Sequence, residues 1–315
     1  MAQKFKSLEI CAGAGGQALG LEEAGFDHLA LVEIEPLACQ TLIANRPKWN
    51  VVQGDLRRFN ATRYKGQVDL LAGGVPCPPF SIAGKQLGQL DDRDLFPEAI
   101  RLVKECNPKA VLLENVRGLL EPKFEEYRNE IINEFKELGY KTDWQLLHAS
   151  DFGVSQLRPR AILIALKKEY FDFFVWPDKQ KGEPKTIGDL LYEEMSLLGW
   201  EKVDEWKKKA NKIAPTLVGG SKKHGGADLG PTRARKAWQE IGVDGGGLAD
   251  QPPNCDFEGN PRLTIAMTAL VQGFPKEWKF TGKKTPAYRQ VGNAFPPPVA
   301  KAVGKSIIKA LSYDK

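Results

Sequence analysis

The chain has 315 residues and a mass of 34.9 kDa, with 42% hydrophobic and 27% charged residues, an ordinary globular composition. Its formal net charge of +5 permits a nucleic-acid partner without establishing one. No apolar run approaches the length of about 18 residues that a membrane span needs, and the start lacks the apolar core of a secretory signal. The five cysteines lack paired spacing and the three histidines are scattered, so we expect a cytoplasmic protein without disulfides or metal.

The first half of the chain alternates short apolar runs with helix-like stretches. Nearly continuous apolar runs are typical of strands that are buried on both faces. They lie at residues 7–11, 28–32, 50–53, 68–72, 110–113 and 161–166. Amphipathic stretches at 37–44, 95–103 and 124–138 predict helices between them. This alternation predicts an α/β fold with a doubly wound, mostly parallel sheet.

The amino-acid composition changes after Trp176. Glycine, proline and lysine become more frequent and the apolar runs shorten, until residues 299–311 again predict an amphipathic helix. We therefore predict a large domain over residues 1–176 that is completed by segment 287–315, and a small irregular domain over 177–286. Between Glu201 and Glu240 ten Lys or Arg stand against five acids, which indicates either a solvated insertion or a polyanion-binding element.

Several informative residues fall at the predicted carboxyl ends of strands, where an open α/β sheet binds its ligands. The first strand leads into the turn CAGAGG at residues 11–16, whose small residues let the backbone approach a ligand closely. Glu33 ends the second strand, where an acid can hold ribose hydroxyls, and Asp55 follows the third. A single glycine turn is often only a tight turn, but the three features together predict a nucleoside-containing cofactor.

Further candidates follow the next strands. Cys77 lies between prolines in a stiff loop, which suits a nucleophile, although most cysteines are simply small buried residues. Glu114 ends the fifth strand, where a neutral carboxyl can donate a proton or the side chain can merely face solvent. Arg158 and Arg160 are two apart on an extended segment, so they point the same way and suit anion or base contacts as well as surface ion pairs.

Eight segments of the sequence follow one another as in the DNA (cytosine-5) methyltransferase family, and the chain resembles the compact bacterial restriction–modification members of that family. The segments are CAGAGG at 11–16, Glu33, GD at 54–55, PC at 76–77, ENV at 114–116, QxRxR at 156–160, RLT at 262–264 and QVGN at 290–293. They cover most of residues 7–166 and 260–300. The stretch between them is where family members differ.

The resemblance implies a Rossmann-like, S-adenosylmethionine-dependent methyltransferase with a small target-recognition domain. Its implied reaction is methylation of carbon 5 of a cytosine that is flipped out of a specific double-stranded DNA sequence. Cys77 matches the family's nucleophile, Glu114 its cytosine-binding acid, and Arg158 and Arg160 its supporting cations. The positions that match the S-adenosylmethionine site are Cys11, Gly13, Gly15, Glu33, Ile34, Asp55, Leu56, Gly74, Leu95 and Asn293.

Three residues depart from the family pattern. Cys11 stands where the family usually has phenylalanine, Glu9 replaces a common aspartate, and Pro78 replaces a frequent glutamine. The sequence therefore does not predict the contacts that this phenylalanine and this glutamine make in the family. The basic, glycine-rich stretch 176–260 lies outside the catalytic matches, so we predict that it selects the DNA sequence. The preferred DNA contacts are Lys222, Lys223, Arg233 and Arg235. We expect the protein to act as a monomer.

Three other functions are alternative interpretations of the sequence. The loop CPPF at 77–80 differs at one position from the Asn/Asp-Pro-Pro-Tyr/Phe loop of exocyclic-amino methyltransferases, but a thiol is a poor acceptor for the amine's hydrogen bond. A transfer-RNA cytosine-5 methyltransferase uses similar chemistry, whereas the long variable stretch favours duplex reading. A catalytically inactive DNA-binding module is disfavoured by the intact set of Cys77, Glu114 and Arg160.

Overall fold

The computed structural model describes residues 5–76, 94–220 and 226–313. Four residues singled out in the sequence lie outside the described residues: the predicted nucleophile Cys77, its neighbour Pro78, and the predicted DNA contacts Lys222 and Lys223. All the other predicted site residues are described.

The described strands form one mixed sheet. They are β1 Phe5–Ile10, β2 Phe26–Glu33, β3 Val51–Gln53, β4 Leu70–Gly73, β5 Ala110–Val116, β6 Tyr140–His148 and β7 Pro159–Lys167. Their order is β3-β2-β1-β4-β5-β7-β6. The first five run parallel, and β7 pairs antiparallel with both β5 and β6. The predicted mostly parallel sheet is confirmed, and its order reverses between β1 and β4, the type of switch point where ligands bind.

The burial of each strand explains whether it could be predicted from the sequence. All of β4 and the first four residues of β5 are buried and apolar, and this apolar run ends at the buried polar residues Glu114 and Asn115. The edge strand β6 was not predicted, because its sequence YKTDWQLLH mixes exposed polar with partly buried apolar residues. β7 coincides with the predicted run at 161–166 but is antiparallel, a direction that its composition does not encode.

Helices cover both faces of the sheet. They are α1 Gly16–Ala24, α2 Pro36–Asn45, α3 Phe96–Cys106, α4 Glu125–Glu137, α5 Lys168–Phe171, α6 Ile187–Ser196, α7 Val203–Lys209, α8 Thr232–Glu240, α9 Ile265–Val271, α10 Lys284–Asn293 and α11 Pro297–Leu311. Apolar side chains of α3 and α4 pack with Leu8 and Ile10, while those of α1 and α11 pack with Ala72 and Leu112. The sheet is therefore wound on both sides, as predicted.

The C-terminal helix returns to the beginning of the fold. Helix α11 packs directly on α1, and a Cβ added at Gly20 would lie 2.3 Å from the carbonyl oxygen of Pro297. The two helices can approach this closely only because Gly20 has no side chain. This contact places residues 297–311 on α1, the helix that follows the glycine-rich turn at residues 11–16. The division of the chain into two domains stays a prediction.

The stretch that was predicted to be irregular contains several short helices around an apolar cluster that also includes Leu19 of α1. Trp200, Trp206 and Trp238 are buried there, together with residues of α6, α7, α9 and α10. The indole nitrogen of Trp206 donates to the carbonyl oxygen of Gly242 at 2.9 Å, so its polar edge is satisfied inside the cluster. The frequent prolines limit the length of these helices without preventing them, and Pro231 lies just before the first residue of α8.

Candidate functional site

A cavity of about 670 Å³ opens beyond the carboxyl ends of the parallel strands. Its volume falls within the range of roughly 300–1,000 Å³ that small-molecule sites occupy. The predicted residues that line it are Cys11, Gly13, Glu33, Ile34, Asp55, Leu56, Gly74, Leu95, Glu114, Arg160 and Asn293. Gly15 and Arg158 do not belong to the lining, and Arg233 and Arg235 lie on α8. Residues from distant parts of the sequence thus meet in one cavity.

The turn between β1 and α1 forms one wall. Gly13 (φ 54°) and Gly15 (φ 88°) adopt left-handed backbone conformations, and so does Cys11 (φ 49°), which is uncommon for a residue with a side chain. Gly15 faces away from the cavity, because a Cβ there would lie 2.7 Å from Leu42 Cδ2. Its role is therefore to let the turn pack against α2.

Glu33 is fixed beside this turn. Its Oε2 accepts a hydrogen bond from Gly13 N at 2.7 Å, and its Oε1 accepts one from Glu35 N at 2.8 Å. Burial raises the pKa of Glu33, and the backbone N–H donors act in the opposite direction. Each carboxylate oxygen keeps a second lone pair, so the side chain can still accept hydrogen bonds from a ligand hydroxyl.

Asp55 and Asn293 stand on other parts of the wall. Asp55 accepts from Arg57 N at 3.0 Å, and this hydrogen bond together with the Arg57 guanidinium lowers the pKa of its carboxyl. Asn293, the last residue of α10, donates from Nδ2 to the carbonyl oxygen of Gly220 at 3.2 Å. Asp55 is therefore an anionic acceptor at neutral pH, and Asn293 keeps its amide oxygen for another donor.

Two buried polar side chains of the lining have no hydrogen-bond partner among the described residues. Glu9 is 0% exposed and Gln17 is 5% exposed, and both carboxyl oxygens of Glu9 and both amide atoms of Gln17 are unpartnered. An unsatisfied buried polar group costs roughly 1–3 kcal/mol. Such groups in a cavity wall fit a polar ligand or water that completes their hydrogen bonding. Neither residue was predicted as a site residue, although Gln17 follows the glycine turn directly.

Glu9 also belongs to a small buried polar cluster with Ser7 and His28. His28 Nδ1 lies 2.7 Å from Ser7 Oγ and 3.8 Å from Glu9 Oε1, and its Nε2 lies 3.0 Å from the carbonyl oxygen of Ala18. Burial raises the pKa of Glu9 to about 8 and lowers the pKa of His28 to about 4. Both side chains are therefore uncharged at neutral pH, which avoids burying isolated ions.

We expect these pKa values to make the free energy of unfolding fall between about pH 6.5 and 8. In that window the folded protein keeps the Glu9 proton, which the unfolded chain has already lost, so stability decreases by up to ~1.4 kcal/mol per pH unit. Below pH 6.5 the unfolded chain takes up a proton on His28 that the folded protein does not, and this opposing effect offsets the Glu9 effect.

The Glu9→Gln variant tests this, because glutamine keeps the shape and does not titrate. Urea unfolding from pH 6 to 9 should show a slope in the wild type that the variant has largely lost. Glu33, whose pKa is also raised by burial, is present in both proteins, so the difference between them isolates Glu9. Equal slopes in the two proteins would contradict the assignment.

Glu114 and Arg160 form an ion pair at the other side of the cavity. They lie on the paired strands β5 and β7, and Arg160 Nε lies 2.6 Å from Glu114 Oε1 with both side chains about one-tenth exposed. A Cβ at Gly74 would lie 3.0 Å from Glu114 Oε2, so a glycine at 74 gives this carboxyl its room. The pair offers a fixed carboxyl oxygen beside a cation, in a place with little water.

Asn115 ties the neighbouring loop to this pair. Its Nδ2 donates to the carbonyl oxygen of Val75 at 2.9 Å, and its Oδ1 accepts from Val116 N at 2.8 Å. Pro76, which also lines the cavity, accepts from Leu95 N at 3.3 Å. Val75 and Pro76, the last described residues before position 77, therefore lie at the edge of the cavity that holds Glu114.

Arg158 differs from Arg160 in its surroundings. It is 0% exposed, and burial lowers its pKa well below the usual value. Its guanidinium donates to the carbonyl oxygens of Leu217, Gly292 and Ala294 at 2.9, 2.8 and 3.0 Å. The spacing predicted two cations that serve one site, whereas in the structure one arginine lines the cavity and the other binds backbone behind it.

A further contact that sequence reasoning missed involves Trp278. Its indole nitrogen donates to the carbonyl oxygen of Ala14, within the glycine-rich turn, at 3.2 Å. Its ring lies under Arg46, whose guanidinium carbon is 5.2 Å from the ring centroid. The partners Trp278 and Ala14 are 264 positions apart, so no local pattern signals the contact.

Neither a metal centre nor a membrane span is found within the part of the chain that the structure describes. No group of three or more His, Cys, Asp or Glu side chains there is placed to hold a metal ion. None of the helices in those residues is long and apolar enough to cross a bilayer.

A family model and the sequences of known relatives indicate the same protein family. Residues 5–309 match the model of C-5 cytosine-specific DNA methylases. The type II methyltransferase M.NgoMIV of Neisseria gonorrhoeae is 60% identical over 99% of this chain and 99% of its own. The type II methyltransferase M.NaeI of Lentzea aerocolonigenes is 53% identical over 99% of this chain and 76% of its own.

Solved structures agree with the fold. A protein described as a DNA modification methyltransferase encoded within an E. coli prophage superposes with a TM-score of 0.68 and 25% identity, over 98% of this chain and 99% of that one. A variant of Spodoptera frugiperda DNMT2 gives 0.66 at 18% identity, over 98% of this chain and 100% of that one, which is evidence for the fold alone. Because the family model and the relatives span nearly the whole chain, this protein belongs to the C-5 cytosine-specific DNA methylase family, in its compact form, as its motifs predicted.

Proposed function

We propose that this protein transfers a methyl group from S-adenosylmethionine to carbon 5 of a cytosine that is flipped out of a specific double-stranded DNA sequence, through a covalent adduct on Cys77. The observation that carries the proposal is one cavity with two chemically different walls. The wall at Glu33 and Asp55 suits a nucleoside cofactor, and the wall at Glu114 and Arg160 suits a pyrimidine base.

The residues of the first wall fit S-adenosylmethionine. Glu33 keeps lone pairs for two ribose hydroxyls, and the apolar side chain of Ile34, 55% exposed in the cavity, suits the face of an adenine. Asp55 suits an amine donor, and the unpartnered atoms of Glu9 and Gln17 suit further polar groups. When bound, S-adenosylmethionine supplies an activated methyl group on a sulfonium.

The second wall supplies what the cytosine needs. Carbon 5 of cytosine is a weak nucleophile, and addition of the Cys77 thiolate to carbon 6 increases its electron density when N3 is protonated at the same time. Glu114 would donate the N3 proton, and Arg160, bound to Glu114 Oε1, would orient the carboxyl and stabilise the exocyclic oxygen. After methylation a base removes the carbon-5 proton, the Cys77 thiolate is eliminated and the N3 proton returns to the Glu114 carboxylate, which restores the aromatic ring.

These atoms of cytosine are inaccessible in a stacked duplex. The base must therefore leave the helix, at a cost of a few kcal/mol. Because the Glu114–Arg160 pair is about one-tenth exposed, a base that reaches it is largely removed from water.

Sequencing after bisulfite treatment of DNA from cells that express the protein tests the function. We expect protected cytosines at one recurrent sequence, and mass spectrometry of the hydrolysed DNA should identify 5-methylcytosine. Methylation of the exocyclic amine alone, or of transfer RNA but not DNA, would overturn the proposal in favour of the related activities.

Helix α8 is the surface that we propose for contact with the duplex. On and next to α7, Lys207 pairs with Asp189 at 3.0 Å and Lys202 pairs with Glu258, so part of the basic charge there is neutralised. On α8 both Arg233 and Arg235 are exposed and form no salt bridge within the described residues, while Trp238 is buried and anchors the helix. Arg233 and Arg235 are therefore available for a polyanion.

We expect Arg233→Ala or Arg235→Ala to relax discrimination at one base pair, at a cost of roughly 1–3 kcal/mol on the cognate duplex. An arginine fork can read a guanine edge, whereas a phosphate contact contributes equally on all sequences. The measurement is the affinity for cognate and singly substituted duplexes at several salt concentrations.

Lys207→Ala is the matched control, because it removes a cation that is already paired with Asp189, and it should leave affinity and discrimination nearly unchanged. If both arginine variants weaken binding to every duplex alike and lower the salt slope by about one each, the arginines contact phosphate only.

A further inference from the structure

Gln156 and Arg158 form a buried junction around one residue of a distant segment. Gln156 Oε1 accepts from Leu217 N at 2.8 Å, and Arg158 Nη1 donates to the carbonyl oxygen of Leu217 at 2.9 Å. Arg158 Nη2 donates to the carbonyl oxygens of Gly292 and Ala294. Both backbone polar groups of Leu217 are therefore held by this pair, and the same guanidinium binds the end of α10.

Close packing reinforces the junction. A Cβ added at Gly292 would lie 2.5 Å from the Cα of Gly219, so the backbone of segment 214–220 lies directly on the end of α10. Asn293, at the same end, lines the cavity. In the chain, segment 214–220 leads towards α8, so the junction joins the proposed DNA-reading part to the wall of the site.

The surroundings of Arg158 do not fit a cation that acts on a substrate. The side chain is 0% exposed, does not line the cavity, and uses its terminal nitrogens on three carbonyl oxygens, while its Nε has no partner among the described residues. A buried guanidinium is costly, and its rigid planar fork can bridge carbonyls of separate segments as a lysine ammonium cannot. The arrangement fits a clamp between backbone segments.

We propose that Arg158 is a positioning residue that couples DNA reading to the reaction site by clamping Leu217 to the end of α10. The proposal rests on the proposed function, and it separates Arg158 from Arg160, which shares its motif but lies in the cavity. Loosening the clamp lets segment 214–220 shift relative to Asn293 and the Glu114–Arg160 pair. Sequence-specific contacts then no longer align the base with the site.

The test compares Arg158→Lys with Arg160→Lys. For each we would measure the dissociation constants of cognate and singly substituted duplexes and the single-turnover methylation rate. Arg158→Lys should reduce the cognate preference in binding about tenfold, the size expected for one lost charge-assisted hydrogen bond, and slow methylation. Arg160→Lys should slow methylation while it keeps the cognate preference.

Two outcomes would overturn the clamp. If Arg158→Lys slows methylation with full cognate preference, Arg158 acts as a catalytic cation. In the other outcome, Arg158→Lys lowers only the melting temperature. If its cognate preference and its methylation rate equal those of the wild type when both are measured well below that melting temperature, Arg158 is merely structural. Calorimetry of S-adenosylmethionine binding should give a dissociation constant within about twofold of wild type, since Glu33 and Asp55, the proposed cofactor contacts, lie outside the junction.

Gln156→Leu provides a second variant if Arg158→Lys does not fold. It removes the partner of Leu217 N, together with the donor to the carbonyl oxygen of Val271 and to Gln272 Oε1, and leaves Arg158 in place. The loss of cognate preference should have the same direction at temperatures where this variant is folded. The wild type is assayed in the same series. A wild type that methylates no DNA overturns the proposed function, whereas an active wild type with fully discriminating Arg158 and Gln156 variants overturns the clamp alone.

Discussion

DNA that carries 5-fluorocytosine at the target position will trap this protein as a covalent adduct on Cys77. Fluorine cannot leave carbon 5 as a proton does, so the adduct at carbon 6 persists after methyl transfer. Pro76, which precedes Cys77 in the sequence, lines the cavity together with Glu114 and Arg160. Digestion of the trapped complex and peptide mapping by mass spectrometry should place the nucleotide on the peptide that contains Cys77.

The other cysteines make this assignment testable. Burial raises the pKa of Cys39 to about 11 and that of Cys106 to about 12, so both stay protonated and unreactive. Cys77→Ser should abolish the adduct and turnover while DNA binding remains, because a hydroxyl is a far weaker nucleophile than a thiolate. Cys255→Ser is the matched control at an exposed cysteine and should trap normally. An adduct on Cys11 or Cys255 would refute the assignment.

The part of the fold that could be predicted from the sequence is the part that local burial controls. A strand such as β4, with all four of its residues buried, must be apolar throughout, and the parallel arrangement then follows from the helices between the strands. The same topology brings Glu33 and Glu114 to one edge of the sheet, although 81 positions separate them. The edge strand β6 escapes this reasoning because its outer side faces solvent.

The features that could not be predicted depend on contacts between distant segments. The spacing of Arg158 and Arg160 gives their direction along an extended segment, but the carbonyl groups of Leu217 and Gly292 decide that one of them is buried. Likewise, no local pattern shows that Glu9 lies in the cavity wall without a partner or that Trp278 reaches Ala14. The sequence therefore predicts where the cavity lies, at the carboxyl ends of the strands. Which side chains are buried behind its wall depends on tertiary packing.

We expect Glu114→Gln to reduce methyl transfer on the order of a hundredfold or more, the usual size for loss of a general acid. Glutamine keeps the shape of the side chain, and its amide oxygen can still accept the hydrogen bond from Arg160 Nε, but it cannot give a proton to N3 of the cytosine. Without that proton, addition of the Cys77 thiolate leaves negative charge on the ring. Single-turnover methylation and the rate of trapping by 5-fluorocytosine should fall together.

A matched control separates this role from loss of an ion pair. Glu98 forms a similar pair with Arg101 on α3, at 2.7 Å and outside the cavity lining, so Glu98→Gln should keep full activity. S-adenosylmethionine binding, measured by calorimetry, should change little in Glu114→Gln, because Glu33 and Asp55 on the other wall are untouched. If cofactor binding collapses in this variant, Glu114 belongs to the cofactor site and the N3 proton must come from another group.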